Sequence, residues 1–116
     1  KMNEGLLFKV PLDKPDQFTQ VKIKETLPGA DGLLWGPDGT LVVIVNGKIN
    51  KVFKLTSSDH WSSANVVNSV DTGNVFATTG VVRDGNIYAL YAMLHVLFNP
   101  DTKTHIDKYD IRQQKL

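Results

Sequence analysis

The side chains able to do chemistry are few and scattered along this chain. Histidines stand at His60, His95 and His105. His60 and His105 lie too far in sequence from any pair of carboxylates to argue for a metal pair. Cysteine is absent, which excludes a disulfide framework and any zinc, iron–sulfur or nucleophile site built on thiolates. There is no Gly-rich phosphate loop, no Gly-x-Ser-x-Gly and no His-Glu-x-x-His. Asp38 and Asp84 each precede a glycine, where a short polar side chain serves a tight turn, so they are read as structural. Lys plus Arg count 13 against 12 Asp plus Glu, a formal charge of +1. That balance gives no electrostatic footprint for nucleic acid or an acidic membrane surface. Any site must therefore be made by the fold, from isolated polar residues.

The elements that would position them read as strands. Val, Ile and Thr make up 28 of the 116 residues, which favours β structure. Turn signals fall at Pro37-Asp38-Gly39, Asn46-Gly47, Asp84-Gly85 and Asn99-Pro100-Asp101. Strands are expected at residues 5–12, 19–24, 32–36, 40–46, 49–56, 64–71, 80–83, 86–94 and 104–113. Apolar and lysine positions alternate in Lys51-Val52-Phe53-Lys54-Leu55 and in Val21-Lys22-Ile23-Lys24. No window offers an amphipathic helix of ten or more residues, and Ser57–Ser63 reads as a loop. The longest apolar runs, Leu41–Val45 and Tyr88–Leu94, fall far short of the ~20 residues of a membrane-spanning helix. The opening residues KMNEGLLF lack the pattern of an intact signal peptide. A soluble chain is expected, its compartment left open between cytoplasm and periplasm or secretion.

The strand pattern repeats. Gly39 corresponds to Gly85 at an offset of 46, and Leu6–Val10 matches Lys51–Leu55 at 45. Ile49-Asn50-Lys51 matches Ile106-Asp107-Lys108 at 57, the excess falling in the stretch Met93–Lys103. A period of about 40–50 residues with four strands each is the signature of a β-propeller blade. The expected fold is all-β. Residues 5–24 would supply the outer two strands of one blade, 32–71 a complete four-stranded antiparallel blade, and 80–113 the inner three strands of a last blade. About two and a quarter blades leave two apolar faces open, so the chain is expected to be part of a longer propeller or a subunit that closes by association. A β-sandwich is the alternative architecture.

The run from Leu27 through Ala30-Asp31-Gly32-Leu33-Leu34-Trp35-Gly36-Pro37-Asp38-Gly39-Thr40-Leu41, followed by Asn46-Gly47, resembles a blade of the gluconolactonase/regucalcin (senescence marker protein-like) family. The family pattern begins Pro-Asp-Gly, and Ala30 stands in place of that proline. Phe76–Tyr88 resembles the family's last blade. NHL-repeat and strictosidine-synthase-like propellers share much of the pattern. The resemblance implies a six-bladed propeller with a divalent metal in its central channel. The cation would be calcium, magnesium, manganese or zinc, and the reaction hydrolysis of a sugar lactone or related ester. Its metal ligands are expected upstream of Lys1.

The resemblance carries one position onto this chain. Asp31 matches the aspartate of Pro-Asp-Gly and is expected as a channel carboxylate, or else as a turn residue bonding its own backbone. His95, after an inner-blade strand, is a candidate to act on substrate from a rim loop. Asn46, at a strand end, is read as a turn residue or a substrate contact. Thr78 and Thr79 open an inner strand and have hydroxyls to offer a ligand, although their β-propensity explains them as well. Trp35 and Trp61 read as packing rather than a ligand platform. Two functions are carried forward. One is a metal-dependent lactone or ester hydrolase of gluconolactonase-like type, of which this chain would be the C-terminal part, its missing blades coming from a longer chain or other subunits. The other is a non-catalytic NHL-like scaffold for ligand or protein binding.

Overall fold

The computed structural model describes residues 1–99, 101 and 104–116. In chain order the strands are β1 (Phe8–Lys9), β2 (Thr19–Gln20), β3 (Lys22–Ile23), β4 (Ala30–Trp35), β5 (Leu41–Val45), β6 (Lys51–Thr56), β7 (Ser63–Asp71), β8 (Ala77–Arg83), β9 (Asn86–Tyr91) and β10 (Asp110–Gln114). A short helix, α1 (Leu94–Phe98), lies between the last two. The fold is all-β, as the composition implies.

β4 to β7 form a four-stranded antiparallel meander in sequence order. Its central strand β5 is the continuous run Leu41-Val42-Val43-Ile44-Val45, and all five residues are buried. Alternation sends Leu41, Val43 and Val45 to one face and Val42 and Ile44 to the other. A strand with no polar position must be covered twice, and this one is. On the first face Val21, Leu27, Leu55 and Ala64 close a core with the N-terminal segment. On the second, Val52 joins Ala77, Ile87, Ala89 and Tyr91 from a second sheet, ordered β10-β9-β8. The arrangement has three layers, whereas a two-sheet sandwich covers each sheet once.

Turn chemistry sets several registers. Arg83 pairs with Asn86, and the two residues between, Asp84 and Gly85, have φ of 50° and 74°. Those values suit a type I′ turn, whose twist matches that of a hairpin. At Pro37–Gly39 a 3₁₀ turn holds Asp38 at φ 62°, and the Gly36 amide donates to the Thr40 carbonyl at 2.8 Å.

Several expected elements differ. The strand expected over 19–24 is split. Val21 turns into the core with its amide on Leu7 O, and the Lys22 amide crosses to Ser62 O at 3.0 Å. β3 thereby joins the outer edge of the meander in parallel, making that sheet five-stranded. Residues 5–12 yield only the two paired residues of β1, and 104–113 only the later strand β10. The strand expected to run to Leu94 ends at Tyr91, and Met93 at φ 54° starts α1 instead. Asn46-Gly47 is not a two-residue hairpin turn. Val45 pairs with Lys51 across a five-residue loop, because Asn46 is used inside. The expected Asn99-Pro100-Asp101 turn includes Pro100, which lies outside the described residues, as do Thr102 and Lys103 of the Met93–Lys103 stretch.

Candidate functional site

β4, the first strand of the meander, and β8, the first of the second sheet, lie side by side, and each carries an irregularity near its start. In β4 the register shifts between Ala30 and Gly32, which puts Asp31 in a bulge. In β8 it shifts between Ala77 and Gly80, which puts Thr78 and Thr79 in another. A bulge frees a residue from the ladder and re-aims its side chain. The strands touch closely there. A Cβ placed on Gly32 would sit 2.5 Å from Thr78 O and 3.1 Å from Thr79 Cα. Only a glycine lets the two bulges meet.

Asn46 ties them together. It is 2% exposed, continuing the inward series Val42, Ile44. Its Nδ2 donates to Asp31 Oδ2 at 2.8 Å and to Ala77 O at 2.9 Å. Its backbone amide donates to Gly29 O at 3.1 Å. Both amide protons of the side chain are thus spent on β4 and β8. That disposition fits a positioning role better than the substrate contact expected from sequence. Asp31 is exposed, one carboxylate oxygen held by Asn46 and the chain around it fixed by the bulge. It does not bond its own turn backbone. A carboxylate so placed can accept a hydrogen bond from a hydroxyl or a water, or a proton from either.

Topology brings α1 to the same end. Tyr91 pairs with Ala77, whose carbonyl takes the Asn46 amide, and Met93 N–H donates to Val75 O at 2.8 Å. His95 follows on α1, half-buried, with Nδ1 shielded from solvent and no hydrogen-bond partner among the described residues. No hydrogen bond joins it to Asp31 or Asn46. Asp31 and Asn46 are hydrogen-bonded to each other, the backbone of Thr78 and Thr79 lies against the adjacent Gly32, and His95 follows on α1 with no hydrogen bond to any of them.

Among the described residues no group of three or more His, Cys, Asp or Glu is placed to hold a metal ion. Asp31 is one oxygen donor and not a complete cation site. His60 and His105 lie elsewhere, His105 Nε2 at 2.8 Å from Asp107 on an exposed segment. Asp84 forms its turn, as its sequence context implies. No described helix is long and apolar enough to cross a membrane.

Sequence reasoning missed the bulges and the inward course of Asn46. The period-2 count could have found the second, since 46 shares the parity of Val42 and Ile44. In comparisons with known proteins, no family model, no curated protein and no solved structure matches this chain.

Proposed function

We propose that this chain supplies consecutive blades of a β-propeller whose central site hydrolyses a lactone or related ester, with Asp31 as its carboxylate. One observation carries the reading. Two adjacent first strands bulge at the same level, and a buried asparagine locks a carboxylate between them. Structural turns need no such clamp. Asp31 would accept a proton from, or orient, the water that attacks the ester carbonyl, while the Thr78 and Thr79 hydroxyls offer donors to substrate oxygens. The divalent cation implied by the sequence resemblance is not fitted by this chain alone. Beyond Asp31 its oxygen donors would come from other blades, and no step is assigned to it.

The test is hydrolysis of sugar lactones by the complete protein, with divalent cations supplied. Asp31→Ala should lower turnover by more than tenfold, a general base usually contributing about 10²–10⁴-fold. Undiminished turnover would remove the role. A binding scaffold is the second reading. It is favoured by an apolar groove along β4, lined by Leu33, Trp35, Leu41 and Trp61. Under it Asp31→Ala leaves ligand binding intact.

A further inference from the structure

The groove beside β4 is open, mainly apolar and bordered by a strand edge that is unpaired among the described residues. Two adjoining cavities, of about 390 and 210 Å³, run along β4 from Asp31 to Trp35, with β1 as their other wall. Their floor is apolar and open. Leu33 and Trp35 are 53% and 62% exposed, although they share a face with Val43 and Leu41 of the buried core. The outer half of that face is covered by the N-terminal segment, so the groove continues an interface already formed.

β1 borders this groove with a free edge. Val21 N–H donates to Leu7 O, and Lys9 pairs with Thr19, so the intervening Phe8 turns its N–H and C=O away from β2. Among the described residues no strand pairs with that edge. An apolar small molecule would cover Leu33 and Trp35 but leave this ladder unmet. An added strand does both.

The internal repeat says which strand. Leu6–Val10 matches Lys51–Leu55 at an offset of 45, and the same offset carries β2 onto the start of β7. β1 and β2 are thus the counterparts of β6 and β7. On that correspondence, a counterpart of the β4–β5 hairpin would fall in the groove. The opposite face of the meander gives the precedent, since there β8 lies along β4 and covers Leu34.

We propose that the groove between β1 and β4 is the seat of an antiparallel β-hairpin of the β4–β5 kind. Its second strand pairs with the free edge of β1, and its first covers Leu33 and Trp35. This rests on reading the sheets as blades, and not on the lactone chemistry. Seated there, the hairpin ends beside Asp31 and walls one side of the site.

The chain's two tryptophans, Trp35 and Trp61, both line this groove, their rings 5.3 Å apart edge to face. Intrinsic fluorescence therefore reports its occupancy. The probe is a synthetic peptide of residues 28–47 carrying Trp35→Phe, with lysine tags for solubility, titrated into the intact chain. Saturable blue-shifted emission is expected, with hydrogen-exchange protection of the Phe8 amide. Leu33→Asp, at an exposed position, should weaken binding by about tenfold or more while far-UV circular dichroism stays unchanged. No shift, or a shift indifferent to Leu33→Asp, overturns the proposal. An emission shift that follows protein concentration without peptide, with no protection of the Phe8 amide, seats a second copy by another surface and also overturns it. Loss of lactone hydrolysis in Asp31→Ala has no bearing on these readings.

Discussion

Removal of the Asn46 side-chain amide would leave the Ala77 carbonyl buried without its donor and release one oxygen of Asp31. An orphaned buried acceptor costs about 1–3 kcal/mol. Asn46→Ala is expected to lose stability in that range by urea unfolding, and to lower any activity that depends on Asp31. A loss no larger than that of an exposed-loop substitution would mean the clamp is ornamental. Asp59 makes a separate, pH-dependent case. The Ser63 amide donates to its carboxylate at 2.9 Å and the Ser63 hydroxyl at 2.7 Å, with Ser57 adding a third bond. These donors, the Ser63 amide foremost, lower its pKa from 3.8 to about 2. A depressed folded value makes the contribution fully present above 3.8 and lost as pH falls toward about 2. Carboxyl titration by NMR should place the Asp59 midpoint near the lower figure, with the Ser63 amide shifting in step. A midpoint at the ordinary carboxylate value would contradict the hydrogen-bonded loop.

At the scale of elements, the contact between β4 and β8 hinges on Gly32. A methyl group there meets the Thr78 carbonyl, which is backbone and cannot rotate aside. Gly32→Ala should cost about 1–3 kcal/mol in denaturant unfolding, the usual range for overpacking. A neutral effect would show that the two strands have room to part. Element identity was legible where local chemistry decides it. Asp84-Gly85 supplies the positive φ values of a hairpin, and Leu41–Val45 is too apolar to be anything but a central strand. It was less legible where tertiary contacts decide. Lys51–Leu55 reads as alternating lysine and apolar positions, yet Val52 and Phe53 are adjacent apolar residues, and Val52 enters one core while Phe53 and Leu55 pack on the other. The split at Val21 follows from a burial that no local signal announces. Asp31 could be singled out only by resemblance. Its bulge and its asparagine clamp depend on a partner 15 residues on and a carbonyl in another sheet.

For the whole molecule, stability is concentrated in the twice-covered meander. Ile44 is fully buried between β4–β7 and the second sheet. Ile44→Ala should cost about 2–5 kcal/mol by the same unfolding measurement, the range for a large-to-small core change. A much smaller loss would mean that the second sheet is loosely docked. Beyond this core two faces carry exposed apolar side chains. Leu33 and Trp35 lie on the uncovered part of the meander's first face, and Val81 and Ile111 on the far face of β8–β10. On the proposed blade reading, stacking would bury both faces, as repeat architectures bury theirs against neighbours. The role given to Asp31 depends on β4 and β8 lining one channel. The most direct measurement is a crystal structure of the protein in the assembly, or the longer chain, that the proposal calls for. Further sheets should stack on both open faces, with the first strands in a ring and the Asp31 carboxylate reaching its centre. A closed sandwich, or an Asp31 carboxylate turned to outer solvent, would contradict the account.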